Sequence, residues 1–317
     1  MQRIRKLLLV LMLLCMLASV FSASAQEPKM QIIATVFPAF DFARTIAGEH
    51  AQVSLLLPPG SESHSYEPTP QDLIAIQNAD LFLYVGGESD HWIEELLSSV
   101  GENAPRTFRL MDCVTLVEEE ISESMEHKHD HDEHCDHTHE HKELDEHVWT
   151  SPKNAIQIVN ALTDVLKELS PVHASAFEDA FQQYTAELEE LDAAIEKVVS
   201  TASRDLLIFG DRFPLRYFAY AYDLRYDAAF PGCSEDSEPS VRTVISLIDT
   251  VREQKIPVIF YIEFSSRRTA DILAEETGAK PLLFHSCHNV SAEELKNGVT
   301  YLSLMRQNLD VLKEALN

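Results

Sequence analysis

Seven histidines fall within fifteen residues, at His127, His129, His131, His134, His137, His139 and His141, with Cys135 among them. Neutral imidazole is a borderline-soft donor suited to zinc, copper and nickel, so a run this dense reads as a set of weak, exchanging metal sites. The alternative is a solvated acidic segment whose histidines are incidental, and their density speaks against it. Scavenging or sensing is the expected role, because an unordered chain loses entropy when it wraps an ion. Calcium or magnesium would call for oxygen ligands in a fixed loop, and no EF-hand spacing is present.

A tight site needs donors on rigid elements. Three isolated histidines sit where strands should end: His64 in the loop PPGSESHSYEP, His147 in DEHVWTSP before a helix, and His285 after the apolar run Pro281–Phe284. Carboxyl ends of strands are where open α/β sheets place their ligands. Each histidine taken singly is more often a surface or hydrogen-bonded residue, and His50, His91, His173 and His288 are assigned to that class. Glu263, at the end of Val258–Ile262, is a reserve donor whose expected role is to support a neighbour or cap a helix. Cys233 and Cys287 are expected to form a disulfide bracing the C-terminal loops, with thiolate ligation as the alternative. Cys113 has no evident partner except Cys135.

The elements that would position these residues follow from hydrophobic patterning. Gln31–Phe37, Val53–Leu57 and Leu81–Val85 are apolar strand-like runs, with a helix start at Thr69-Pro70-Gln71-Asp72. Leu206–Phe209, Asp227–Phe230 and Val258–Ile262 repeat the style, with helices at Ser240–Lys255 and Ser266–Thr277. A closing helix is expected from Ser291, where Ser291 and Glu294 form a capping box. Strands alternating with helices predict parallel sheets covered on both faces. Between the halves, Phe177, Phe181, Tyr184, Leu188, Leu191, Ile195 and Val198 recur at spacings of four and three, one stripe of a helix. From Pro171 to Ser200 it would run about 45 Å at about 1.5 Å per residue. It reads as a strut across two domains, with a coiled-coil dimer as the alternative.

Arg3, Arg5 and Lys6, the apolar run Leu7–Phe21 and Ala23-Ser24-Ala25 form a secretory signal, with cleavage expected after Ala25. Residues 1–25 hold three basic and no acidic residues, so their loss moves the net charge from −27 to −30. That charge argues against nucleic acid and anionic membranes as partners and suits an exported protein that attracts cations. The remaining length, about 290 residues, predicts two domains, 27–152 and 204–317, joined by the helix 171–200. The segment 118–146 carries thirteen acids, two lysines and seven histidines and almost nothing apolar, so it is expected to be a mobile loop of the first domain.

The stretch Gly60–Gly87 (GSESHSYEPTPQDLIAIQNADLFLYVGG), with its H-x-Y-E-P-x-P loop, A-D-L strand and nearby Trp92, resembles the cluster A-I solute-binding proteins of zinc and manganese ABC importers. The H-x-W-x-S-P pattern at His147–Pro152 is similar to that family's second ligand signature, and a His-rich insertion upstream is similar to its zinc members. The resemblance implies an α/β fold of two domains joined by one long backbone helix, with the metal in the interdomain cleft. It implies His64 and His147 as ligands. Two departures stand out. Where the family has H-D-A-F-x-Y-F, this chain has GDRFPLRYF, so Asp211 could be the third ligand or could pair with Arg212. Where the family has a late aspartate, His285 takes the place. The implied function is capture of Zn²⁺ outside the cytoplasmic membrane, in the periplasm or its equivalent, and delivery by a monomer to an ABC permease. Manganese is the alternative cargo. A metal buffer would bind through the run 127–141 alone. A secreted zinc hydrolase would need a general base and an open position, and there is no H-E-x-x-H or G-x-S-x-G.

Overall fold

The computed structural model describes residues 29–61, 66–101, 104–120, 143–232 and 238–317. The signal segment, His64, Cys233, Cys135 and the whole run His127–His141 lie outside them.

Two four-stranded parallel sheets carry the molecule. The first contains β1 (Met30–Ala34), β2 (Ala51–Leu55), β3 (Leu81–Tyr84) and β4 (Arg106–Arg109), in the order β2-β1-β3-β4. The second contains β5 (Leu206–Arg212), β6 (Arg225–Phe230), β7 (Val258–Tyr261) and β8 (Lys280–Leu283), in the order β6-β5-β7-β8. The spatial order of second, first, third and fourth strand is therefore the same in both, although no sequence repeat announces it. β4 was not expected. Its four residues, RTFR, alternate charge with a single buried phenylalanine, as an edge strand does.

Helices flank both sheets: α1 (Phe37–Ala47), α2 (Pro70–Gln77), α3 (His91–Val100), α4 (Pro152–Leu169), α5 (Ala174–Ser200), α6 (Arg216–Tyr222), α7 (Val241–Gln254), α8 (Arg268–Thr277), α9 (Ala292–Lys296) and α10 (Tyr301–Leu316). α2 starts with a complete capping box between Thr69 and Asp72. α5 is the expected long helix. Its α-helical part begins at Ala174, after a 3-10 turn over Pro171–His173, and its 27 residues span about 40 Å. The expected single closing helix is two. α9 stops at Asn297 and Gly298, whose φ of 76° is left-handed backbone that suits glycine, and α10 restarts under a Thr300 cap.

Because the central strands β1, β3, β5 and β7 are covered on both faces, their inward and outward residues are largely alike apolar. Ile32 and Ala34 of β1 and Leu207 and Phe209 of β5 enter one large core. Ile33 and the β5 residues Leu206 and Ile208 enter two smaller clusters on the outer faces. The large core is continuous between the two halves. Phe177, Tyr184, Leu188, Leu191 and Ile195 of the α5 stripe are buried in it, and Phe181 and Val198 pack at its edge. α5 touches α1 from the first half and α10 from the second, as well as α4. It is thus a strut shared by both. Among the described residues no helix is long and apolar enough to cross a membrane.

Polar ties complete the junction. The Tyr301 amide donates to Asp41 Oδ2 at 2.7 Å, and its hydroxyl donates to the Trp149 carbonyl at 2.7 Å. Burial raises the Asp41 carboxyl, against the opposing pull of Arg44 and the Tyr301 amide. Tyr301→Phe leaves the buried Trp149 carbonyl without that donor and is expected to lower stability by about 1–3 kcal/mol, read from the urea unfolding midpoint.

Candidate metal centre

His147 sits between the halves, immediately before the 3-10 turn Val148–Thr150 that leads into α4. Its side chain is wholly buried. Its amide donates to Asp145 Oδ1 at 2.8 Å, and its Nδ1 lies 3.2 Å from the same oxygen. A carboxylate on one ring nitrogen fixes the tautomer and makes the other, Nε2, the nitrogen with a lone pair to offer. Burial disfavours the charged ring, but Asp145, by its charge and hydrogen bond, together with Glu146 and Glu119, raises the His147 pKa above the ordinary value. Tyr217 of α6 holds this segment from the second half by donating its hydroxyl proton to the Asp145 carbonyl at 2.9 Å.

The ring that faces His147 is His288. Their centroids lie 5.4 Å apart at an interplanar angle of 88°, and the His288 ring is 4.9 Å from that of Trp149. The two histidines line a cavity of about 20 Å³ between the halves, with Ser61, Arg212, Glu263 and Ser286. On its other side His288 walls a second cavity, of about 30 Å³, with Thr35, Tyr66, Asp90, Glu146 and Trp149. Burial, and then the neighbouring Glu146, act to push Asp90 up to about 6, against the opposing pull of the Gly86 and Val85 amides and of Arg109.

The far wall of the cleft is the segment 284–290, which the first half grips directly. Trp149 Nε1 donates to the Ser286 carbonyl at 2.8 Å, and the Phe37 amide donates to the His288 carbonyl at 3.1 Å. The Asn289 side-chain amide donates to the carbonyls of Pro58 at 2.8 Å and Ser61 at 2.9 Å. Cys287, with φ of 61°, turns the chain through left-handed backbone between His285 and His288.

Several sequence expectations change here. His285 is held through its backbone, its amide donating to Asn308 Oδ1 at 2.7 Å and its carbonyl accepting from Asn308 Nδ2 at 2.8 Å, and it lines neither cavity. The strand ends at Leu283, and the chain runs on for another turn, so that His288 rather than His285 lines the cleft cavities. Strand-end reasoning missed it because the left-handed Cys287 cannot be read from residue type. The pair His285-x-x-His288 was the available signal.

Asp211 is likewise drawn away from the cavity. Its Oδ2 accepts from the Ile262 amide at 3.1 Å and its Oδ1 from the Arg212 amide at 2.8 Å, which ties β5 to the end of β7. Burial raises its pKa. Alternation along β5 then turns Arg212, rather than Asp211, toward the cleft. Cys287 is a free, fully buried thiol rather than half of a disulfide, and burial raises it far above the usual thiol range. Cys113 is also a free thiol, pushed up to about 12 by burial. Among the described residues, no three histidines, cysteines or carboxylates converge as a metal-holding group. The described donors are the His147–His288 pair, and the flanks of the segment containing His64, Ser61 and Tyr66, lie one in each cavity wall.

Two parallel-sheet domains, a shared backbone helix and imidazoles in the cleft between them describe the binding component of a metal uptake system. Residues 32–315 match the family of the zinc-uptake complex component A, periplasmic (ZnuA), and the chain belongs to it. The high-affinity zinc uptake system protein ZnuA of Bacillus subtilis is 32% identical over 297 residues, covering 93% of this chain and 90% of that protein. The zinc-binding lipoprotein AdcA of Streptococcus pneumoniae is 30% identical over 312 residues, covering 98% of this chain. The chain spans only 61% of the length of that relative. The crystal structure of the Zn(II)-bound ZnuA-like domain of the same AdcA superposes with a TM-score of 0.75 at 29% identity, covering 91% of this chain and 99% of that domain.

Asp145→Asn keeps the shape beside His147 but removes the charge that makes the ring a strong donor. It is expected to weaken metal binding about 10- to 100-fold in a chelator competition, and an unchanged constant would remove Asp145 from the site.

Proposed function

We propose that this protein captures zinc outside the cytoplasmic membrane and delivers it to an ABC-type importer, acting as a monomer and not as an enzyme. The observation that carries the reading is the buried His147–Asp145 pair set across an interdomain cavity from His288. Family membership and the zinc-binding names of the relatives support the cargo. The ligands we assign are His64, His147 and His288. Three neutral imidazoles, with a water or carboxylate in the fourth place, make a nitrogen-rich tetrahedral site that prefers zinc, whereas manganese would favour more oxygen. Donors contributed by 27–152 and 204–317 make occupancy sensitive to the relation of the two domains, which lets a permease tell loaded from empty protein. Export rests on the signal-like residues 1–25, with cleavage after Ala25. The run His127–His141 serves as an auxiliary, weak store feeding the tight site.

Calorimetric titration with zinc separates these roles. His147→Ala or His288→Ala is expected to weaken the single tight site severely while the weak sites persist, and deletion of 127–141 is expected to do the reverse. Tight binding that survives both substitutions but disappears with the run would make the protein a buffer.

The pH dependence has a defined sign. A ligand imidazole must be neutral, and His147 has a pKa raised above its ordinary value of about 6.5. Protons therefore begin to compete at a pH above that value. Zinc affinity is expected to be level at alkaline pH and to fall as pH drops through the raised pKa. An affinity constant from about pH 8 to about pH 5 would contradict the assignment.

A further inference from the structure

The second-sheet ligand stands on a segment that has already left the sheet. The last ladder bond between β7 and the chain after β8 is Phe284 N–H to the Tyr261 carbonyl, at 2.9 Å. Beyond it a side chain continues the pairing. Glu263 Oε2 accepts from the Ser286 amide at 2.8 Å, while Oε1 accepts from the Ser286 hydroxyl at 2.7 Å and from the His288 amide at 3.1 Å. The amides of residues 284, 286 and 288 are thus satisfied in succession, first by backbone and then by one carboxylate. Between the last two, Cys287 sits at φ of 61°, left-handed backbone that a non-glycine residue adopts only at a cost and that the flanking bonds must hold.

We propose that Glu263 is a positioning residue for zinc binding: it accepts the amides on either side of Cys287 and thereby fixes His288 opposite His147, without itself coordinating the metal. The inference rests on the ligand assignment above. Three of the roughly four acceptor sites on the carboxylate are taken by donors of the 286–288 segment, which fits Glu263 to hold that segment rather than to bind the metal. Charge-assisted bonds to amides are the stronger kind, which suits a group asked to hold strained backbone. The same segment is gripped from the other side by Trp149 Nε1 and the Phe37 amide. Glu263 therefore supplies the second-domain half of a two-sided clamp.

A double-mutant cycle on zinc affinity, measured by competition with a fluorescent chelator on the full chain, tests this. Glu263→Ala is expected to weaken binding about 10- to 100-fold when His288 is present and to have no further effect in a His288→Ala background. Glu263→Gln keeps one acceptor oxygen and is expected to restore part of the loss. It also carries the cycle should the alanine variant fold poorly. Equal weakening by the Glu263 variants in both backgrounds would overturn the positioning role while leaving the cleft assignment intact. Wild-type affinity in His288→Ala alone would overturn the ligand assignment and this inference with it.

Discussion

The constraint on which everything else depends is the burial of one apolar stripe. Phe177, Tyr184, Leu188, Leu191 and Ile195 on α5 have no solvent face, and they are covered partly by α1 and partly by α10. One helix cannot bury the same stripe against two domains unless those domains sit side by side. The carboxyl ends of β1 and β3 and of β5 and β7 then open toward a common cleft, and residues distant in sequence meet there. Full burial of side chains of this size is worth about 1.5–3 kcal/mol each, so the alignment is strongly held. The continuous core also argues for a stiff molecule, in which responses to a bound ion arise in the cleft loops rather than in a wide swing of the domains.

The cleft itself works by distributing polar groups that could not be buried alone. His147 is wholly buried with Asp145 against its Nδ1, and the Asp145 carbonyl is in turn bound by Tyr217 from the other domain. Trp149, also buried, donates its indole proton across the interface to Ser286 and accepts the Tyr301 hydroxyl on its carbonyl. The Asp145 and Trp149 carbonyls and the Trp149 indole are each bound from the opposite half, so site geometry and domain packing are one network.

Much of this was legible in residue patterning. The α5 stripe, seven of the eight strands, the Thr69 helix start and the Ser291 capping box follow from period and cap chemistry. The strand β4 escaped because an edge strand with two arginines carries no apolar run. His285 was attractive because it follows a strand and Asp211 because it falls in the place of a family ligand motif, but a strand end offers two faces, and a slip in register chooses between them. Here the choice fell to Arg212 and to His288. The left-handed turn at Cys287 decides the second case, and no residue preference announces a non-glycine in that conformation. Of the expected disulfide, Cys233 lies outside the described residues, and Cys287 is a free thiol packed into the apolar core.

The two ends of the histidine-rich stretch are fastened together. Glu118 and Leu144 form an antiparallel bridge, the Glu119 amide donates to the Glu143 carbonyl at 2.8 Å, and the Asp145 amide donates to the Val117 carbonyl at 3.0 Å. This stitched neck isolates the scaffold from whatever length of chain hangs beyond it. Closing a loop twice as long costs only about 0.6 kcal/mol more. Imidazoles can therefore be added or lost there over generations while His147, two residues past the neck, keeps its station.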